Sequence, residues 1–312
     1  MFLESLETGL GLDIIIALQS MQNPVFDAVA ESLNFMGLGP FFLVFLPFIY
    51  WSVDRRLGTR LLVALLVGGI GNTLLKELFA SPRPFVVSDE VFQLFEASGY
   101  GFPSGHVMVA VVLWGYLAYH LQKRWASVLY VIYVVLMAWS RMYAGVHYPQ
   151  DVVGGAVFGG LLLIAYIWLI EEFPGLWMRL TTQTRIALLV FLVITLSVFI
   201  LPDEFGQILI GVLSGVGIGA VIKDWRGFRF KAPEETGKQI MNFAIGIICL
   251  VALYVGLSVL FDALADEGTD GATLLRTTRY FILGLFAFII YPLLAVRFNL
   301  LRLEDQENVA EA

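Results

Sequence analysis

Nine stretches of mostly apolar residues, at 38–53, 61–79, 105–121, 126–140, 152–170, 185–201, 206–222, 240–261 and 277–296, recur through a chain of 312 residues. A helix needs about 20 apolar residues to cross a bilayer core, and about 17 at the short end. Lipid offers backbone N–H and C=O groups no water, so a spanning segment must satisfy them internally, and runs of this length do so as helices. The expected fold is therefore all-α: a polytopic membrane helical bundle of about nine transmembrane helices. Composition agrees, because 59% of the residues are hydrophobic and 14% charged, where about 25% charge is usual in soluble domains. That balance, with a mean hydropathy of +0.82, excludes both a soluble enzyme and a disordered chain. The run at 126–140 is the shortest and stops at Ser140 and Arg141. Residues 9–35 have helical apolar spacing, but Asp13, Gln19, Gln22, Asp27 and Glu31 interrupt it. They are expected to form one or two helices lying at the membrane interface.

Short loops rich in lysine and arginine stay on the cytoplasmic side. With the N-terminus outside, 14 of the 19 basic residues fall in inner loops or the inner tail. The other five are Lys76, Arg83, Arg141, Arg276 and Arg279, at or near outer ends of spans. Acidic residues crowd the opposite side, in the N-terminal stretch and around 262–270. The expected arrangement is a multi-pass protein of the plasma membrane, N-terminus out and C-terminus in. The start Met-Phe-Leu-Glu4 lacks the basic region of a cleavable signal peptide.

A net charge of -7 argues against nucleic acid as a partner, since phosphate backbones are met by basic patches. The single cysteine, Cys249, allows no internal disulfide and no cysteine-rich metal site. Gly211, Gly215 and Gly219 repeat every four residues on one helix face, a spacing that lets a neighbouring helix come close. The basic and aromatic loop 223–239 reads as an anchor at the headgroups. The pattern does not set the oligomeric state.

Charge at the edge of a span is expensive and marks a functional candidate. Three outer-face segments carry it: Lys76 to Arg83-Pro84 after the second span, Pro103-Ser104-Gly105-His106 opening the third, and Ser140-Arg141 through His147 to Asp151 between the fourth and fifth. Two of the three histidines lie here. Phosphoryl transfer needs cations for the phosphoryl oxygens, a nucleophile in line and an acid for the leaving group. Lys76, Arg83 and Arg141 supply cations, and the planar arginine fork suits phosphate oxygens. Ser104 and Gly105 precede a helix whose first amides can bind an anion. His147 and Asp151 are four apart, so the carboxylate can orient the ring and leave its other nitrogen as nucleophile. His106 is then the general acid and base.

In order and spacing, Lys76-x6-Arg83-Pro84, Pro103-Ser104-Gly105-His106 and Ser140-Arg141-x5-His147-x3-Asp151 resemble the three-part signature of the type 2 phosphatidic acid phosphatase (PAP2) superfamily. The resemblance implies a metal-independent, cofactor-free phosphatase of lipid phosphates or diphosphates, with a six-helix catalytic bundle, here roughly 38–201; the residues themselves point to a phosphohistidine at His147, and the basic loops to the extracytoplasmic face. The expected division is N-terminal interfacial helices (1–37), a catalytic transmembrane bundle (38–201), accessory C-terminal transmembrane helices (202–302) and a polar cytoplasmic tail (303–312). Phosphatidic acid and undecaprenyl diphosphate are among the substrates it admits, with membrane lipids as the other partners. The same site also suits a lipid phosphotransferase, and intramembrane charge suits a transporter or flippase of an anionic lipid, although no inverted repeat is visible. The loop 85–102, with Asp89, Glu90 and Glu96 among aromatic residues, is read as either a substrate rim or a connector.

Overall fold

The structure is a computed structural model that describes residues 9–173, 175–266 and 268–303. The expected polar tail lies, beyond residue 303, outside the described residues. In chain order the helices are α1 (Leu10–Gln19), α2 (Pro24–Phe35), α3 (Gly39–Phe48), α4 (Arg55–Phe79), α5 (Pro84–Val87), α6 (Gly105–Leu121), α7 (Arg124–Tyr143), α8 (Pro149–Glu172), α9 (Leu176–Arg179), α10 (Thr182–Ile200), α11 (Glu204–Trp225), α12 (Thr236–Asp262), α13 (Asp270–Leu285) and α14 (Tyr291–Arg297). Strands β1 (Phe230–Lys231) and β2 (Arg302–Leu303) pair antiparallel.

Each of the nine apolar runs coincides with a helix, and the fold is all-α and membrane-spanning in character. Seven helical segments are long and apolar enough to cross a membrane individually. The other two runs are α6, which is only 17 residues long, and α3, which passes the same test only when taken together with α2. The chain divides into two compact units, one of Met1–Leu43 and Leu61–Glu172, the other of Val44–Arg60 and Phe173–Ala312.

In the first unit α6 is the central helix. Val107 to Leu113 are buried in unbroken succession, and the helix packs on α7 and α8. The approach of α8 depends on a missing side chain: a Cβ on Gly155 would lie 2.7 Å from the Ser104 carbonyl oxygen. Helix α2 starts at an Asn23 cap, whose Oδ1 accepts from the amides of Val25 and Phe26 at 3.0 Å, with Pro24 at the first helical position. Ile15 of α1 and Ala30 and Leu33 of α2 are buried, so these two helices contribute to the core. Large apolar side chains on α7 such as Val128, Leu129 and Ile132 are exposed, as a lipid-facing surface requires.

The second unit departs from regular α-helix twice. Pro47 in α3 is followed by a π turn at Ile49–Val53, and a second π turn, Phe286–Ile290, precedes Pro292. The carbonyls so disturbed find donors in side chains. Tyr50 Oη donates to Phe288 O at 3.0 Å, Trp51 Nε1 to Ala287 O at 2.8 Å, and Asn242 Nδ2 to Trp51 O at 3.0 Å. Such repair is necessary where no water reaches the backbone.

Helix α11 packs on α13 along the glycine face read from the sequence. A Cβ on Gly215 would overlap the Phe281 carbonyl oxygen and come within 2.8 Å of the Leu285 amide nitrogen. Neither backbone atom can yield, so Gly215→Leu must push the helices apart. It is expected to destabilise the protein by about 3 kcal/mol or to prevent folding. Thermal unfolding in detergent checks this, and an unchanged midpoint would show that the two helices tolerate separation.

Candidate active site

The site forms where α4 ends, α6 and α8 begin, and α7 ends, so helix direction alone gathers its residues at one end of the first unit. Helix α7 stops after Tyr143, and Gly145, at φ +72°, supplies the left-handed turn that releases the chain toward His147. The backbone N–H of Ser104 donates to the Asp151 carbonyl at 2.9 Å, tying the first turn of α6 to that of α8.

The centre is a line of three buried groups. His147 Nδ1 lies 3.2 Å from Asp151 Oδ2, and the same oxygen accepts from the Tyr148 amide at 2.9 Å. On the other side of the ring, Nε2 lies 3.3 Å from Arg83 Nη1. Relative exposure is 2% for His147, 0% for Asp151 and 5% for Arg83, so the line is removed from solvent. Arg83 is fixed at every corner of its fork. Nε donates to Gly99 O at 3.0 Å, Nη1 to Val146 O at 3.0 Å and Nη2 to Ser98 O at 2.7 Å. The carbonyls of the loop 85–102 thus frame this cation, and Phe95 of the same loop lies under the Arg141 guanidinium at 5.4 Å.

The remaining sequence-predicted residues surround this line. Ser104 is buried at the N-cap of α6, and its Oγ has no hydrogen-bond partner among the described residues. The first amides of that helix have no intrahelical acceptor, which makes the turn at Ser104 and Gly105 a place for an anion. Arg141 is buried in the last turn of α7. His106, in the first turn of α6, and Lys76, in the last turn of α4, are close enough for their charges to act on His147. Burial above all, and then Arg83, Arg141, Lys76 and His106, hold the His147 imidazole well below the usual histidine range. In the loop between α7 and α8, the ring has Nδ1 facing the Asp151 carboxylate, which favours the tautomer with the proton on Nδ1.

Two asparagines belong to the site and were not singled out from the sequence. Asn72 Nδ2 donates to the Pro103 carbonyl at 3.0 Å, and its Oδ1 would stand 2.7 Å from a Cβ on Gly105, which explains why glycine occupies that position. Asn34 Oδ1 accepts from Arg141 Nη1 at 2.6 Å. The signal for Asn72 was a polar residue in a mostly apolar run, and Asn34 was one of several polar residues in its helix. Among the described residues, no group of three or more His, Cys, Asp or Glu side chains is placed to hold a metal ion.

The sequence pattern described as PAP2 superfamily matches residues 57–175, and the one described as PAP2 superfamily phosphatase, transmembrane extension, matches residues 207–304. Lipid phosphate phosphatase delta of Arabidopsis thaliana is 30% identical over 177 residues, covering 51% of this chain and 41% of that protein. Putative undecaprenyl-diphosphatase YbjG of Escherichia coli (strain K12) is 32% identical over 120 residues, 38% of this chain and 60% of that one. The crystal structure of Aquifex aeolicus LpxE has 26% sequence identity and a TM-score of 0.47, covering 51% of this chain and 95% of that chain. The chain thus spans between two fifths and three fifths of the length of these two curated relatives. All eight site residues read from the sequence fall inside the first matched segment, and the two patterns together take in well over half of the residues: the chain belongs to the PAP2 superfamily and carries its transmembrane extension.

Proposed function

We propose that this protein is an integral-membrane phosphatase that hydrolyses a lipid phosphate or diphosphate through a phosphohistidine at His147, without a metal ion. The observation that carries the reading is the buried line Asp151–His147–Arg83. A carboxylate on Nδ1 fixes the tautomer in which Nε2 holds the lone pair, and a cation stands beside that lone pair. The relatives named as lipid phosphate phosphatase and undecaprenyl-diphosphatase support the substrate class.

In the first step Nε2 of His147 attacks phosphorus, the bond to the lipid oxygen breaks, and protonated His106 gives its proton to that oxygen. In the second, neutral His106 takes a proton from water, the resulting hydroxide attacks phosphorus, and the P–N bond breaks to release inorganic phosphate and restore His147. Arg83, Arg141 and Lys76, with the amides at Ser104 and Gly105, hold the phosphoryl oxygens as negative charge builds on them. Residues 38–201 are proposed to house this chemistry and 202–302 to be accessory. The site is assigned to the extracytoplasmic face of the plasma membrane, N-terminus out and C-terminus in, on the distribution of basic loops.

Purified protein in EDTA, offered phosphatidate, phosphatidylglycerol phosphate, undecaprenyl diphosphate and a sphingoid phosphate, is expected to release phosphate from at least one. Strict dependence on a divalent cation, or no release from any, would sink this mechanism.

A pH dependence follows from the state of His147. The nucleophile is the neutral ring, and its pKa is depressed, so the acid limb set by protonation of His147 lies below about 6.5. Arg141 is among the charges that lower it, so Arg141→Ala is expected to move this acid limb to higher pH. Profiles of kcat/KM for wild type and variant on one substrate cancel the substrate's own ionisation, and an unmoved limb would deny the coupling.

A further inference from the structure

One wall of the site is built by a helix outside the segment that matches the superfamily pattern. Asn34, in the last turn of α2, meets the site at Arg141. Its Oδ1 accepts from Arg141 Nη1 at 2.6 Å. Gly37, just beyond the helix, lies against the His106 imidazole so closely that a Cβ would overlap His106 Cδ2. The polar residues that break the apolar pattern of 9–35 secure this placement. Tyr143 Oη donates to Asp27 Oδ1 at 2.6 Å, and Gln19 exchanges two hydrogen bonds with the Phe92 backbone, at 2.6 and 3.0 Å.

Arg141 is 2% exposed, and its Nε has no hydrogen-bond partner among the described residues. A buried guanidinium needs an acceptor to fix its orientation, yet a carboxylate in that role would cancel the charge an anion is to meet. An amide oxygen orients the fork and leaves the charge intact. We propose that Asn34 is a positioning residue for the phosphate site, holding Arg141, so that α2 is part of the catalytic apparatus. The proposal rests on the reading of Arg141 as a phosphate-binding cation.

Binding of orthovanadate, a mimic of the phosphoryl group in transfer, to purified protein tests this by calorimetric titration, beside phosphate release from phosphatidate. Asn34→Leu and Asn34→Asp are each expected to weaken vanadate binding at least tenfold and to lower kcat/KM comparably. Asn34→Asp keeps the acceptor, so its thermal midpoint is expected to stay at the wild-type value; it carries the test if Asn34→Leu does not fold. In an Arg141→Ala background, Asn34→Leu is expected to add less than a twofold loss, because its effect passes through the missing arginine.

Vanadate binding by Asn34→Asp within twofold of wild type would overturn the proposal, as would a full additional loss in the Arg141→Ala background. Wild-type protein that binds vanadate but releases phosphate from no lipid would remove the phosphatase reading alone, and the same titrations would still decide the role of Asn34. Wild-type protein that binds no vanadate would refute both.

Discussion

Replacing His147 with alanine is expected to lower phosphate release at least about 10⁴-fold, the scale on which loss of a covalent nucleophile acts when the rest of the site survives. His147 makes one contact on each side, to Arg83 and to Asp151, while the loop that carries it is held separately. Arg83 donates to Val146 O, and the Tyr148 amide donates to Asp151. The variant should therefore fold, and its lost activity should reflect chemistry. Asp151→Asn removes the charge and the tautomer control but leaves the ring, with an expected loss of about 10²- to 10⁴-fold. Steady-state release of phosphate from the best substrate, with thermal unfolding as a control, measures both. A His147→Ala protein within tenfold of wild type would place the nucleophile elsewhere.

Substitution of Arg83 is expected to cost nearly as much, for two separable reasons. Its guanidinium donates to three carbonyls, those of Ser98, Gly99 and Val146, and faces the Nε2 of His147. Arg83→Ala strands those acceptors, with an expected loss of stability of about 3 kcal/mol and a freed loop 85–102. Arg83→Lys retains a cation but replaces the fork with a compact ammonium that cannot satisfy all of these carbonyls and a phosphoryl group as well. It is expected to lose about 10²- to 10³-fold in kcat/KM with a much smaller shift in the unfolding midpoint. Wild-type kinetics in Arg83→Lys would show that only the charge matters.

The eight candidate residues stood out in the sequence because phosphoryl-transfer chemistry demands particular groups at particular spacings, and because Lys76, Arg83 and Arg141 fall outside the loops that collect 14 of the 19 basic residues. Asn34 and Asn72 obey no such rule: a single amide has no period, and only the fold shows that one holds Arg141 and the other the Pro103 carbonyl. The interruptions in 9–35 suggested an interfacial stretch. The structure gives Gln19, Asp27 and Asn34 partners in the bundle, so polarity that looked outward in one dimension is partly inward in three. Helix ends were displaced for a similar reason. Helix α4 begins at Arg55 rather than at residue 61, because its charged first turn is helical without being apolar. The glycine spacing of α11 was legible, since a bare face has few uses other than close packing. The π turns were not, since one added residue per turn leaves no mark beyond the nearby Pro47 and Pro292.

The central claim is a covalent intermediate on one named nitrogen. Brief reaction with a lipid substrate labelled in the transferred phosphoryl group, rapid denaturation at alkaline pH and peptide mapping test it most directly. The expected result is label on the peptide carrying His147, stable in base and lost in acid, as a phosphoramidate is, and absent from the His147→Ala protein. Turnover with no label on any residue, or acid-stable label on a hydroxyl or carboxyl group, would contradict it.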